Sequence, residues 1–320
     1  MKALVISGGG VKGAFTVGIL KEMVRVAGIG VLSEYKIIAG TSTGSLIAPL
    51  ASQGKIADLE DLYTNREKMK DYYKIRKDGV LGDIITDCNS VFNVDGLRAK
   101  LLQEVTPIFP DLTKDDSTLL IFSAVSIKSG ELVYFSNKNI PSKPGDYRAQ
   151  KVNSIGEMVN AIMASANQPV LAPPVTMRNA VKDREEEYVD GGVREYLPIQ
   201  GAIDNGATDI DVIINSPSYF ERDATTSLFS ILQSTIDLLS DEVGQSDIRN
   251  AKRMVDLEGA RGRNITMRIY QPPMSGYGVD HNQPFPFLFN DLDFNGTMMQ
   301  MVLDKGVEEF RNKNFRKYPE

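Results

Sequence analysis

The chain holds one cysteine and one histidine among 320 residues, and each scarcity removes a class of chemistry. A lone thiol, Cys88, can close no internal disulfide and build no cysteine-based metal site, which fits a reducing compartment. A Ser-His-Asp triad would have to recruit His281, which lies in the Gly- and Pro-rich surroundings of Ser275-Gly276-Tyr277-Gly278 and reads as an exposed loop histidine. Positive charge is not in excess either. With 36 Lys and Arg against 42 Asp and Glu the net charge is -6, which argues against a nucleic-acid partner held by phosphate contacts. The basic clusters Lys68-Met69-Lys70 and Lys74-Ile75-Arg76-Lys77 are local and read as solvated segments, with contact to anionic lipid head groups as the functional alternative. No run approaches the roughly 18 apolar residues of a spanning helix. The stretch Met1 to Ile6 meets glycines too soon for a signal-peptide core and reads as a first strand. The expectation is a cytoplasmic protein, with peripheral attachment to membranes left open.

What is present is the composition of a globular protein, 42% hydrophobic and 24% charged, long enough for one large α/β domain or two ordinary ones. Apolar runs at 2–7, 35–39, 118–125, 131–135, 187–189, 209–215 and 265–270 read as strands, the third and fourth as a hairpin across Lys128-Ser129-Gly130. Helical spacing marks 14–27, 94–105, 155–166, 226–259 and 296–310. Residues 53–92, rich in Tyr and Lys, read as helices over a site or as a cap. Strands alternating with helices predict a largely parallel sheet covered on both faces.

One turn carries chemistry. Gly40-Thr41-Ser42-Thr43-Gly44 follows the apolar run Tyr35 to Ala39 and precedes a buried helix start at Ser45 to Ala51. Strand, sharp turn, serine, helix is the context of a nucleophile elbow, in which flanking glycines let neighbouring backbone pass close to a strained serine. The five-residue pattern alone is weak, and a turn capping a helix is its bland reading. A serine hydroxyl needs a base and donors for the oxyanion it creates. Asp190, at the end of a strand and followed by Gly191 and Gly192, is the best placed carboxylate, although an Asx turn is the ordinary use of that tripeptide. The loop Gly8-Gly9-Gly10-Val11-Lys12-Gly13 follows the first strand and opens a helix, so its amides can converge at an electropositive helix start with Lys12 adding charge.

That loop also satisfies a dinucleotide-binding pattern through Gly8, Gly10 and Gly13. A ribose-binding acid is expected at the far end of the second strand, yet Glu34 precedes that strand and Ser42 follows it. A phosphate-binding P-loop also fails, because Gly13 follows Lys12 where Ser or Thr is required.

The three blocks together, Gly8 to Gly13, Gly40 to Gly44 and Asp190 to Gly192, closely resemble the patatin-like phospholipase family. A fourth, Ala164-Ser165-Ala166-Asn167-Gln168-Pro169 through Pro173-Pro174, resembles the family's helix-to-strand connection. The resemblance covers roughly residues 2–215. It implies a three-layer α/β/α sandwich with a mostly parallel central sheet, and a Ser-Asp dyad of Ser42 and Asp190. It also implies an oxyanion hole at Gly8, Gly9, Gly10 and Lys12, with Gly13, Gly40, Gly44, Gly191 and Gly192 shaping the turns. Two departures are visible: Ser7 stands where many members carry Asp, and Tyr196 where Asn is usual. The implied function is hydrolysis of fatty-acyl esters of phospholipids or other lipids at a membrane surface, needing no metal or cofactor. The alternatives are a non-catalytic lipid-binding module of the same fold and a dinucleotide-binding oxidoreductase. The whole chain, 1–320, is expected to be one catalytic domain, with 216–320 a helical part packed on it. The aromatic run Pro284-Phe285-Pro286-Phe287-Leu288-Phe289 reads as a loop pinned into the core, or, if exposed, as a lipid contact.

Overall fold

The first strand, β1 (Lys2–Ile6), explains the architecture: Ala3, Leu4, Val5 and Ile6 are all buried, as in a strand covered on both faces. The structure is a computed structural model and describes residues 1–65, 71–75, 90–217, 228–273 and 296–319. Cys88, His281, the run Pro284 to Phe289, Lys68 to Lys70 and Arg76-Lys77 lie outside the described residues.

After β1 come α1 (Ala14–Ala27), β2 (Tyr35–Gly40), α2 (Thr43–Ser52), α3 (Ile56–Thr64) and a small antiparallel ribbon of β3 (Lys74–Ile75) with β4 (Phe92–Asn93). Then follow α4 (Asp95–Val105), α5 (Phe109–Leu112), β5 (Leu119–Ser126), β6 (Leu132–Ser136), β7 (Arg148–Lys151) and α6 (Ile155–Ala166). The chain continues through β8 (Val175–Asn179), β9 (Arg184–Asp190), α7 (Ile199–Asp204), β10 (Asp209–Ile213) and α8 (Leu228–Ala260), and ends with β11 (Thr266–Tyr270), α9 (Gly296–Arg311) and β12 (Phe315–Tyr318).

Ten strands form one sheet in the order β12-β11-β10-β1-β2-β5-β6-β7, with β9 on β5 and β8 on β9. β11, β10, β1, β2 and β5 run parallel. Alternate side chains feed two separate cores. Leu4, Ile6 and Ile38 pack with Phe15, Ile47, Leu59, Ile162 and Leu303 from the helices of one layer. Ala3, Val5 and Ile37 pack with Ile199, Ile203, Ile248 and Val255 of α7 and α8 on the other. The three-layer α/β/α expectation holds, and the β5–β6 hairpin is antiparallel as expected.

Three strands of the central sheet were not predicted, nor was the β3–β4 ribbon, which lies where helices or a cap were expected. β7 and β12 are short and polar and lie at the two sheet edges. β8 forms a hairpin with β9, which is longer than expected because its outer half, Arg184 to Glu187, carries charge where apolar residues were sought. Residues 216–320, expected as a helical part with one strand at 265–270, supply that strand as β11 and the unpredicted β12 to the central sheet. No helix among the described residues is long and apolar enough to cross a membrane.

The edge of β5 positions the site. β2 pairs with its first half, Ile37↔Leu119 to Gly40↔Phe122, and then leaves the sheet. β9 arrives antiparallel along the same edge, pairing Tyr188↔Ser126 to Asp190↔Ala124. The two strands therefore end almost head to head, with Ser123 between them. α1 is held to the C-terminal α9 by backbone contact: a Cβ on Gly18 would lie 1.9 Å from the Leu303 carbonyl oxygen, and one on Gly306 2.1 Å from that of Phe15. Gly18→Ala should therefore force the helices apart and destabilise the fold by about 1–3 kcal/mol, read as a thermal midpoint lowered by several degrees.

Candidate active site

The elbow is built from sterics. A Cβ on Gly40 would sit 2.3 Å from the Gly44 carbonyl carbon, and one on Gly44 2.4 Å from the Ile6 carbonyl oxygen, so both positions exclude any larger residue. Between them Ser42 adopts φ 55 and ψ -122, a left-handed conformation that costs a non-glycine residue on the order of 1–3 kcal/mol. Hydrogen bonds hold it there. Thr41 N–H donates to the Ile6 carbonyl (3.2 Å), Gly44 N–H to that of Thr41 (2.8 Å), and both the amide and hydroxyl of Ser45 to that of Ser42 (2.9 and 2.6 Å). The Ser42 amide itself donates to Ser165 Oγ at 3.1 Å.

Asp190 closes β9 beside it. The residue is only 5% exposed and its carboxylate accepts the Gly192 amide at 2.7 Å, so the Asx-turn reading is realised geometrically. Burial pushes its carboxyl up to about 6, against the pull of the Gly192 amide and of a hydrogen bond with the Ser42 side chain. The same groove brings together Thr41 Oγ1 and Ser123 Oγ at 2.5 Å, while Gly191 lies so close to Ser123 that a Cβ would fall 2.2 Å from its Oγ. Tyr73 is near enough to feel the Asp190 charge. Burial, then the Asp190 charge, raises its phenol to about 12, and its ring meets Phe92 edge-on at 6.3 Å.

The glycine loop leaves β1 and lies against the serine, with a Cβ on Gly8 falling 3.2 Å from Ser42 Cβ. Gly9 and Gly10 take φ 142 and 55, which favour glycine. The Gly8 amide is committed to the Tyr196 carbonyl at 3.3 Å, so it is not a donor toward a substrate in this conformation. The amides of Gly9 and Gly10 have no such acceptor among the described residues, and they precede α1, whose N-terminus is electropositive. Lys12 N–H donates to the Gly9 carbonyl at 3.1 Å, placing Lys12 on the same turn. Gly13 packs against the elbow helix, where a Cβ would lie 2.5 Å from Thr43 Oγ1. The structure thus gathers Ser42, Asp190 and the whole glycine loop at one place.

Several supports were not legible in the sequence. Asn215, two residues past the end of β10, donates its amide to Ser7 Oγ (2.9 Å) and its side-chain Nδ2 to the Ser7 carbonyl (3.0 Å), and accepts from Thr16 (2.7 Å), which clamps the loop. Ser7, one of the two family departures, is therefore a brace. Tyr196, the other, lays its ring under Gly8, and its amide and that of Leu197 donate to Asp247 of α8 at 2.7 and 2.9 Å. Glu195 beside it is buried and accepts from the Tyr134 hydroxyl at 2.6 Å, while burial and the nearby Asp247 charge raise its carboxyl well above the usual range. A polar residue just past a buried parallel strand, as Asn215 is, was the one available signal.

At the far end of β2, where a dinucleotide fold would hold a ribose, the backbone is filled by the Gly40–Gly44 contact. Against known proteins, residues 4–203 match the Patatin-like phospholipase family. The chain is 25% identical over 226 residues to a cGAMP-activated phospholipase of Escherichia coli (strain TW11681), covering 66% of this chain and 58% of that protein. It is 26% identical over 197 residues to a cGAMP-activated phospholipase of Pseudomonas aeruginosa, covering 61% and 53%. It thus spans little more than half the length of these two relatives. Among solved structures, VipD from Legionella pneumophila is 14% identical with a TM-score of 0.47, over 99% of this chain and 68% of that one. The family match runs from β1 through the elbow and the Asp-Gly-Gly turn into α7, and the chain belongs to the patatin-like phospholipase family.

Proposed function

We propose that the protein is a serine acyl hydrolase that cleaves fatty-acyl esters of phospholipids or other lipids, with Ser42 as nucleophile and Asp190 as its base. The observation that carries this reading is a buried carboxylate at the end of β9, beside the strained serine of the elbow, whose raised basicity suits proton transfer near neutral pH. Asp190 takes the Ser42 hydroxyl proton as Oγ attacks the acyl carbonyl. The Gly9 and Gly10 amides, with Lys12 on the same turn, receive the oxyanion; losing one such donor typically costs about 10²–10³ in turnover. The tetrahedral intermediate collapses, and the alcohol or lysolipid leaves with the proton from Asp190. Water deprotonated by Asp190 then attacks the acyl-serine and releases the fatty acid and free Ser42.

The substrate class is proposed from the family and from relatives named as phospholipases and, in an invertebrate iridescent virus, as a probable lipid hydrolase. Activation by a cyclic dinucleotide is carried over as a proposal from relatives named for it. A panel of phospholipids, lysophospholipids and short p-nitrophenyl esters, assayed with and without cGAMP, would define both.

A fluorophosphonate probe is expected to label the wild-type chain and not Ser42→Ala. A wild type that stays unlabelled with and without cGAMP would leave the non-catalytic lipid-binding module as the better reading.

The pH dependence follows from Asp190, which must be ionised to act. The kcat/KM profile should fall as pH drops through about 6. Asp190→Asn should abolish ester hydrolysis while His281→Ala retains most of it; the reverse result would point to a histidine triad. The same carboxylate works against stability. Its folded pKa of about 6 exceeds the ordinary 3.8, so between those values the folded state binds more protons and stability falls as pH rises. At neutral pH the cost is about 2–3 kcal/mol. Asp190→Asn should therefore melt at a higher temperature than wild type at pH 7, with the gap closing toward pH 4; an equal or lower midpoint at pH 7 would contradict the burial argument.

A further inference from the structure

The fourth sequence block has a geometry that its resemblance alone did not explain. Ser165 and Asn167 close α6, and each holds one half of the Ser42–Asp190 pair by its backbone: Ser165 Oγ accepts the Ser42 amide at 3.1 Å, and the Asn167 carbonyl accepts the Asp190 amide at 3.0 Å. Both residues are buried, Ser165 completely.

We infer that the C-terminal turn of α6 is the positioning element of the dyad, with Ser165 as the positioning residue that holds the nucleophile in its left-handed conformation. This rests on the hydrolase reading above.

The backbone of Ser42 creates the need for an outside acceptor. A residue at φ 55 and ψ -122 has left the β2 ladder and precedes α2, whose first amides have no acceptor within the helix. Its part-buried amide points at the fully buried Ser165 and needs an acceptor, because an unpaired N–H removed from water is costly and the strained turn would otherwise relax. The elbow's own side chains are engaged elsewhere: Gly40 and Gly44 have none, the Thr41 hydroxyl meets Ser123 and the Glu195 carbonyl, the Thr43 hydroxyl meets Tyr63, and the Ser45 hydroxyl donates to the Ser42 and Ile162 carbonyls. The acceptor comes from α6.

That helix end is itself fixed. Ser154 caps its start by accepting the Glu157 amide at 3.1 Å, and at its end the Asn167 amide donates to Met163 at 2.8 Å while the Asn167 side chain donates to the Pro173 carbonyl at 2.7 Å. A second link, from Ser45 Oγ to the Ile162 carbonyl at 3.2 Å, ties the elbow helix to the same helix. The spacing between nucleophile and carboxylate is thus referred to one turn, Ser165 to Asn167, and not only to the sheet. Well-oriented reacting groups lose on the order of 10²-fold when displaced by about 1 Å.

The test uses the full chain with a p-nitrophenyl ester and the fluorophosphonate probe. Ser165→Ala should lower kcat by about 10–10²-fold with KM within about twofold, since no substrate contact is removed. It should also move the acid limb of kcat/KM to higher pH, because a displaced Ser42 no longer donates to Asp190 and no longer holds its carboxyl down. Ser165→Cys, similar in shape and a weaker acceptor, should fall between alanine and wild type; it decides the matter should the alanine variant not fold. Active-site titration with the probe separates slow sites from a smaller number of normal ones. Wild-type labelling combined with folded variants of unchanged kcat and unchanged acid limb overturns this role alone, as does a loss accounted for entirely by fewer active sites. An unlabelled wild type overturns the hydrolase reading and this role with it.

Discussion

One edge of one strand organises this site. β5 is long enough to accept β2 along its first half and β9 along its second, and because the two arrive from opposite directions their ends meet at Ser123. The elbow that carries Ser42 and the turn that carries Asp190 are therefore neighbours by strand pairing, although 147 positions separate them in the chain. The parallel order around β1 brings the third component, since the glycine loop leaves β1 at the same end of the sheet at which β2 gives way to the elbow. Ligand sites in parallel sheets form at the carboxyl ends of the strands for this reason.

The geometry is obtained against local preference. Ser42 is held in a conformation unfavourable for any residue with a Cβ, and Asp190 is kept from water, which raises the energy of its charged form. Both penalties have the same remedy: a dense shell of backbone hydrogen bonds and glycine contacts that leaves the strained residues no room to relax. Ser165 and Asn167 at the end of α6, Asn215 after β10 and Asp247 on α8 come from three distant segments; Ser165, Asn167 and Asp247 accept backbone amides of the site or its supports, and Asn215 donates to the Ser7 hydroxyl and carbonyl. Chemistry at neutral pH fits a carboxylate raised in this way, because a normally acidic aspartate would be too weak a base.

Much of the site was legible because its central requirements are local. A turn that folds back on itself admits only glycine at Gly40 and Gly44, and that need is written as a five-residue pattern. Alternating apolar strands and amphipathic helices announced the layers. Residues whose work lies across the fold left weaker marks. Ser165 sits inside a block that the family resemblance singled out, yet nothing along the helix says that its hydroxyl faces Ser42. Gly8 matched the loop pattern as well as its neighbours did, and only the folded loop commits its amide to Tyr196. β7, β8 and β12 were missed because edge strands need little apolar character on their outer side.

By itself the sequence determined the class of fold, the serine turn and the glycine loop, since each depends on sterics and periodicity within a few residues, while Asp190 stood out from an ordinary Asx turn only through the family resemblance. Only the tertiary structure decided which groups share the site, how strongly Asp190 is raised, which loop amides remain for a substrate and what holds Ser42 in place. Those depend on burial and on hydrogen bonds between segments far apart in the chain, and neither quantity exists until the sheet has brought the segments together.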